Sequence, residues 1–131
     1  MNLSLLVAMI AALHGASGVA LAAAAAHVDA SPLLATASQF LMIHASVGVA
    51  LAALLRARPP APRWLGGASL ALQAGVTLFA ADLAARVFLG AKLFAFAAPM
   101  GGGLTILSWV ALSLWAAAGL LRGGKEETAR I

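Results

Sequence analysis

The chain contains no cysteine and no tyrosine. Without cysteine it forms no disulfide, offers no thiolate to a metal and attaches no haem covalently. Charge is scarce too: four acidic and eight basic residues amount to 9% of 131 positions. Soluble domains carry roughly 25%. The net charge of +4 is spread over loops and tail, with no long basic run and no RNA-reading motif, so nucleic acid is not expected as a partner. No Ser-His-Asp set, no carboxylate pair and no nucleotide motif can be assembled from so few polar residues, which argues against an enzyme. "PMGGG" (99–103) lacks the lysine and the preceding strand of a phosphate loop.

Apolar residues fill the space left by these absences. They make up 63% of the chain, and the mean hydropathy is +1.02. Soluble domains are about 45–50% apolar, and a chain this short has no core large enough to hide the excess. The solvent is lipid. Four stretches reach the roughly 20 residues that a helix needs to cross a bilayer: near Leu3–Ala26, Leu33–Leu55, Trp64–Leu89 and Ala98–Leu121. None has a proline deep inside, and four strands are too few to close a barrel, so the reading is helical. The expected architecture is an all-α, integral-membrane antiparallel four-helix bundle over 1–121, with a short charged tail at 122–131.

"HVDASP" (27–32) separates the first two spans, with Ser31 as a cap and Pro32 in the next first turn. "RARPPAPRW" (56–64) reads as a stiff linker outside the membrane and "GAKLFAFAAP" (90–99) as a weakly amphipathic connection. "RGGKEETARI" (122–131) is expected to end helix four at its glycines, and Pro99 to start it. Arg56, Arg58, Arg63, Arg122, Lys125 and Arg130 fall on one side of such a bundle; Lys92 and nearby Arg86 fall on the other. By the positive-inside rule both termini are cytoplasmic, in a bacterial inner membrane. The first stretch also carries an A-x-A pattern, as a signal peptide does. It has no basic leader, runs longer than a usual apolar core and is interrupted by His14, so it is read as a span.

Four motifs resemble a known family. "GVALAAAAAH" closes the first span at His27. "FLMIHASVGVA" places Phe40 and His44 in the second, "GVTLF" (75–79) lies in the third, and "PMGG" (99–102) followed by Trp109 marks the fourth. In this order the chain resembles the family catalogued as domain of unknown function 423, small four-helix membrane proteins to which animal transmembrane protein 256 is similar. The resemblance implies fold and membrane location; the family has no established activity. The chain departs from it in several places. Alanine replaces glycine in the first run, "AADLA" (80–84) stands where Ser and Tyr are usual, and Leu41 stands where Gln is usual, with Gln39 displaced. His14 is not a family position.

"HGASGVALAA" (14–23) reappears as "HASVGVALAA" (44–53). Residues four apart share a helix face, so His14, Gly18 and Ala22 form one stripe and His44, Gly48 and Ala52 its copy. Antiparallel spans bring both imidazoles to mid-membrane depth with their small-residue stripes running toward opposite leaflets, a local pseudo-two-fold. Packing is one reading: small residues admit a close neighbour, and Ser17, Ser46 or Gln73 offers each ring a partner. Ligation of a b-type haem by His14 and His44 is a second, although adjacent helices at about 8–10 Å leave little room for the iron. Proton-linked transport is a third, and copper held by His with Met9 or Met42 a fourth.

Asp82 and Arg86, at i and i+4, read as an ion pair, with Gln73 and Thr77 on a roughly opposite stripe, so that one pair faces the bundle and the other a neighbour. His27 and Asp29 lack a third ligand for a metal. Gly101 and Gly102 admit a close helix, Trp64 anchors at the interface, and Trp109 packs inside or against a partner. The expected role is an accessory or scaffolding subunit of an inner-membrane assembly, surrounded by lipid and other membrane subunits and holding no cofactor. The alternatives are a haem b or redox carrier and a small transporter.

Overall fold

Alanine and leucine lose little freedom in a helix, and in hydrocarbon a helix satisfies every backbone group internally. A computed structural model of the chain describes residues 2–57 and 62–128, with side chains as far as Leu121. The proline-rich linker at 58–61, Arg58 with it, and the side chains of the charged tail lie outside the described residues. Four helices form: α1 (Leu3–His27), α2 (Pro32–Arg56), α3 (Arg63–Phe88) and α4 (Ala97–Thr128). Each is long and apolar enough to cross a membrane, and the architecture is an all-α membrane bundle.

The helix ends follow local chemistry. The Asn2 side chain accepts from the Leu5 amide at the start of α1, and Ser31 accepts from Leu33 with Pro32 in the first turn of α2. Helix α4 begins at Ala97, after Phe96 turns the chain in the left-handed region (φ 69°). Pro99 therefore sits inside the first turn rather than starting it, where its missing N–H costs nothing. The helix also runs through Gly123 and Gly124 to Thr128 instead of ending at them. Interior glycine costs only about 1 kcal/mol relative to alanine, and the following Lys-Glu-Glu favours helix.

Close contacts set the register. Gly18 lies against Met42, Gly15 against Ala45, and Ala11 against Gly48, so α1 and α2 run antiparallel. Gly66 at the start of α3 meets both Leu3 and Leu55, which brings α3 up parallel to α1 and antiparallel to α2. Gly75 meets Thr105 and Phe79 meets Gly101, so α4 runs antiparallel to α3. Among the described residues α3 contacts all three other helices, whereas the α4 backbone packs closely only on α3. The first residues of α1 and the far end of α4 therefore lie on one side of the bundle, with the α2–α3 connection.

Because α3 has neighbours on three sides, Gln73 and Asp82 are both fully buried (0% exposed). The expectation that one of them would face outward is corrected by that central position. The core divides into two apolar clusters. Ala37, Leu41, Val76, Ala80 and Leu83 form one, and Val7, Leu51, Ala52 and Leu72 the other.

Candidate functional site

His14 is the twelfth of 25 residues in α1 and His44 the thirteenth of 25 in α2, and the contacts around them hold the two at one level. The hairpin is locally two-fold in its small residues. Gly18, one turn past His14, receives the α2 backbone at Ser38 and Met42; Gly48, one turn past His44, receives Ala11 of α1. Ser38 Oγ donates to the Gly18 carbonyl at 2.7 Å and locks the pair. Ala52 is buried with this interface, while Ala22 is only half-buried.

The correspondence ends at the rings. Thr77 Oγ1 donates to the Gln73 carbonyl at 2.8 Å, and a carbonyl only accepts, so that hydroxyl hydrogen is committed. With that hydroxyl on the carbonyl, His14 Nε2, 2.8 Å from Thr77 Oγ1, donates to it. In that arrangement the proton sits on Nε2 and Nδ1 carries the lone pair; Nδ1 is buried and without a hydrogen-bond partner. His44 is the opposite tautomer. Its Nδ1 donates to the Phe40 carbonyl at 2.8 Å, and its Nε2 accepts from the Trp109 indole N–H at 3.4 Å. Phe40 lies tilted against the His44 ring, with centroids 4.4 Å apart, and Trp109 meets that ring edge-on.

The twin histidines thus do different work. His44 is fully paired and ties α2 to α4. His14 points to α3 and keeps an unused acceptor. The partners on other helices come from α3 and α4, and neither Ser17 nor Ser46 is among them. Two axial imidazoles need two lone pairs aimed at one iron. His44 spends its lone pair on Trp109, so this geometry provides no bis-histidine haem position. No cluster of three His, Asp or Glu that could hold a metal exists among the described residues.

Gln73 stands behind His14. Its amide lies directly on Gly48, and neither Nε2 nor Oε1 finds a partner. Glycine at 48 is what admits the side chain. Unpaired polar atoms cost several kcal/mol in hydrocarbon, so the junction of α1, α2 and α3 holds polar capacity that the chain itself leaves unused.

Between α1 and α3 two hollows, about 370 Å³ and about 530 Å³, share His14, Ser17 and Thr77. Alanines 20, 80, 81 and 84 line the first and keep the helices' facing surfaces shallow. At the outer end of α3, Asp82 Oδ2 takes the Arg86 guanidinium and Oδ1 takes the Leu93 amide at 2.9 Å. The pair expected from spacing is therefore also the anchor of the α3–α4 connection. Gly75 and Gly101 form the α3–α4 crossing, whereas a Cβ at Gly102 would meet its nearest neighbour, Phe79, only at 3.9 Å. Gly75 was not among the residues singled out for packing; the spacing of Gly101 and Thr105, one turn apart, is the small-x-x-x-small signal for this crossing.

The profile of the family described as "Protein of unknown function (DUF423)" matches residues 7–102. No curated protein and no solved structure matches the chain.

Proposed function

The chain belongs to the DUF423 family and is a small multi-pass membrane protein, and from that premise we propose that it serves as an accessory subunit of an inner-membrane assembly, without catalysis of its own. The observation that carries this reading is Trp109. Tryptophan favours the membrane interface because its ring is apolar and its N–H wants water. Trp109 sits midway along the Ala97–Leu121 span, with its N–H already bound to His44 and 42% of its surface open. A broad aromatic face is thus turned outward at hydrocarbon depth, with its polar requirement met inside. Such faces concentrate contact energy where proteins meet. Exposed Ile106 and Val110 lie within one turn of it.

In this reading the bundle lies with both termini and the α2–α3 connection in the cytoplasm of a bacterial cell. The distribution of Lys and Arg supports that orientation. Other membrane subunits and lipid are its partners, and no cofactor is required for the role. Site-specific photocrosslinking in native membranes tests it. A crosslinker at Ile106 or Val110 yields one protein adduct of discrete mass, and one at Val19 on α1 yields lipid. Lipid adducts alone from the α4 positions overturn the reading.

A further inference from the structure

Among the described residues every hydroxyl of the spans but one donates a hydrogen bond within the protein. Thr36, Ser46, Ser69, Thr77, Thr105, Ser108 and Ser113 each donate to the carbonyl four residues back, and Ser38 donates to Gly18. Ser4 donates to Asn2. Ser17 alone among the described span residues makes no such bond, and it is exposed, in the middle of α1, lining both hollows of the α1–α3 cleft. Beside it, His14 is 5% exposed and carries the unpartnered Nδ1.

We propose that the α1–α3 cleft is a binding site for the head of a membrane quinone or its quinol, with the Ser17 hydroxyl as the hydrogen-bonding group that receives it. Four features select this class. The polar groups lie near the middle of a 25-residue span, about 15–21 Å from its ends at 1.5 Å per residue. A phospholipid headgroup does not come that deep, whereas an uncharged quinone head travels there. No Lys, Arg, Asp or Glu lines either hollow, which excludes an ionic head. The alanine floor suits a flat ring. Each hollow falls within the roughly 300–1,000 Å³ of small-molecule pockets.

Ser17 both donates and accepts, so it serves a carbonyl oxygen of the oxidised head and a hydroxyl of the reduced one. Thr77 Oγ1, held by His14 and Gln73, supplies the neighbouring polar surface. Behind it, the His14 lone pair and the Gln73 amide keep the junction polar. The remaining lining, Ile10, Leu13, Leu70 and Ala74 on one side and Leu21 and Leu41 on the other, accommodates an isoprenoid tail along the groove. Only binding is assigned; no electron leaves or enters the head here.

The test uses the purified full chain in phosphatidylcholine vesicles and a short-tailed azido-benzoquinone as photolabel. A matched azido-alkylbenzene without ring oxygens is the comparison. The label saturates on α1 and α3 peptides flanking Ser17 and Thr77 and is displaced by the unmodified quinone. Ser17→Ala weakens half-saturation roughly fivefold, the worth of one hydrogen bond. Ala81→Phe, at an exposed lining position, fills the cleft and abolishes saturable labelling while the helical circular dichroism stays unchanged. Equal labelling by the oxygen-free analogue, labelling indifferent to Ser17→Ala or Ala81→Phe, or saturable labelling elsewhere each overturns the assignment and leaves the cleft to ordinary acyl chains. None of these results bears on crosslinking from α4, so the accessory role and the quinone site fail separately.

Discussion

Gly75 and Gly101 lie back to back at the crossing of α3 and α4: a Cβ built on either would come within 2.7 Å of the other's carbonyl oxygen. Apart from the Thr105 hydroxyl beside Gly75, the obstacles are backbone atoms, including the Phe79 amide nitrogen 2.5 Å from a Cβ at 101, and backbone cannot swing aside as a side chain does. Gly75→Ala and Gly101→Ala therefore each destabilise the α3–α4 pair by about 1–3 kcal/mol, the usual cost of overpacking. Gly103→Ala and Gly119→Ala meet nothing within 4 Å and are neutral or slightly stabilising. Reversible unfolding in mixed micelles, followed by circular dichroism, separates the two pairs.

Trp109→Phe keeps an aromatic ring but removes the N–H that pairs with His44 Nε2. It costs about 0.6–1.7 kcal/mol, in the range of hydrogen bonds between membrane helices. In a double-mutant cycle with His44→Ala the losses do not add, because either change removes the same bond. Additive losses would place the two residues in separate roles.

Asp82 joins Arg86 and the Leu93 amide through its two oxygens while fully buried. Asp82→Asn keeps the shape and removes the charge. Hydrogen bonds to charged groups contribute about 1.5–3 kcal/mol, so exchange of the Leu93 amide quickens on the order of tenfold to a hundredfold. Amides of α1 keep their protection. Hydrogen-exchange mass spectrometry of the α3–α4 connection reads this directly.

The absence of native cysteine gives labelling a clean background. Lys125→Cys reacts with a membrane-impermeant maleimide only from the cytoplasmic side and Lys92→Cys only from the opposite side. Reaction of both from one side contradicts the antiparallel α3–α4 pair as well as the orientation.

Span number, helical class and the level placement of His14 and His44 were legible in the sequence because each depends on length and period alone. So were Gly18 and Gly48, through the four-residue spacing, and the Asp82–Arg86 pair. The ring partners were not. Choosing Thr77 for His14 and Trp109 for His44 requires knowing how each helix is rotated about its own axis, and in chains so rich in alanine the apolar pattern carries almost no directional information. The burial of both Gln73 and Asp82 was hidden for the same reason: a helix with neighbours on three sides has no single inner face. Trp109 as a hydrogen-bond donor to α2 had no local signal at all, since 65 positions separate it from His44.

That every other helix rests on α3 has a consequence for how the protein is made. The N-terminal hairpin leaves the ribosome before the other two helices, and its contacts through Gly15, Gly18 and Ser38 require neither of them. The third segment then finds its dock waiting, and the fourth lays its backbone on the third while Trp109 reaches back to His44 of the second. Synthesis order and contact order coincide, so no segment must idle in the bilayer for a later one. A chain truncated after residue 96 keeps a three-membered nucleus, whereas excising α3 leaves the last helix only side-chain contacts such as Trp109 with His44.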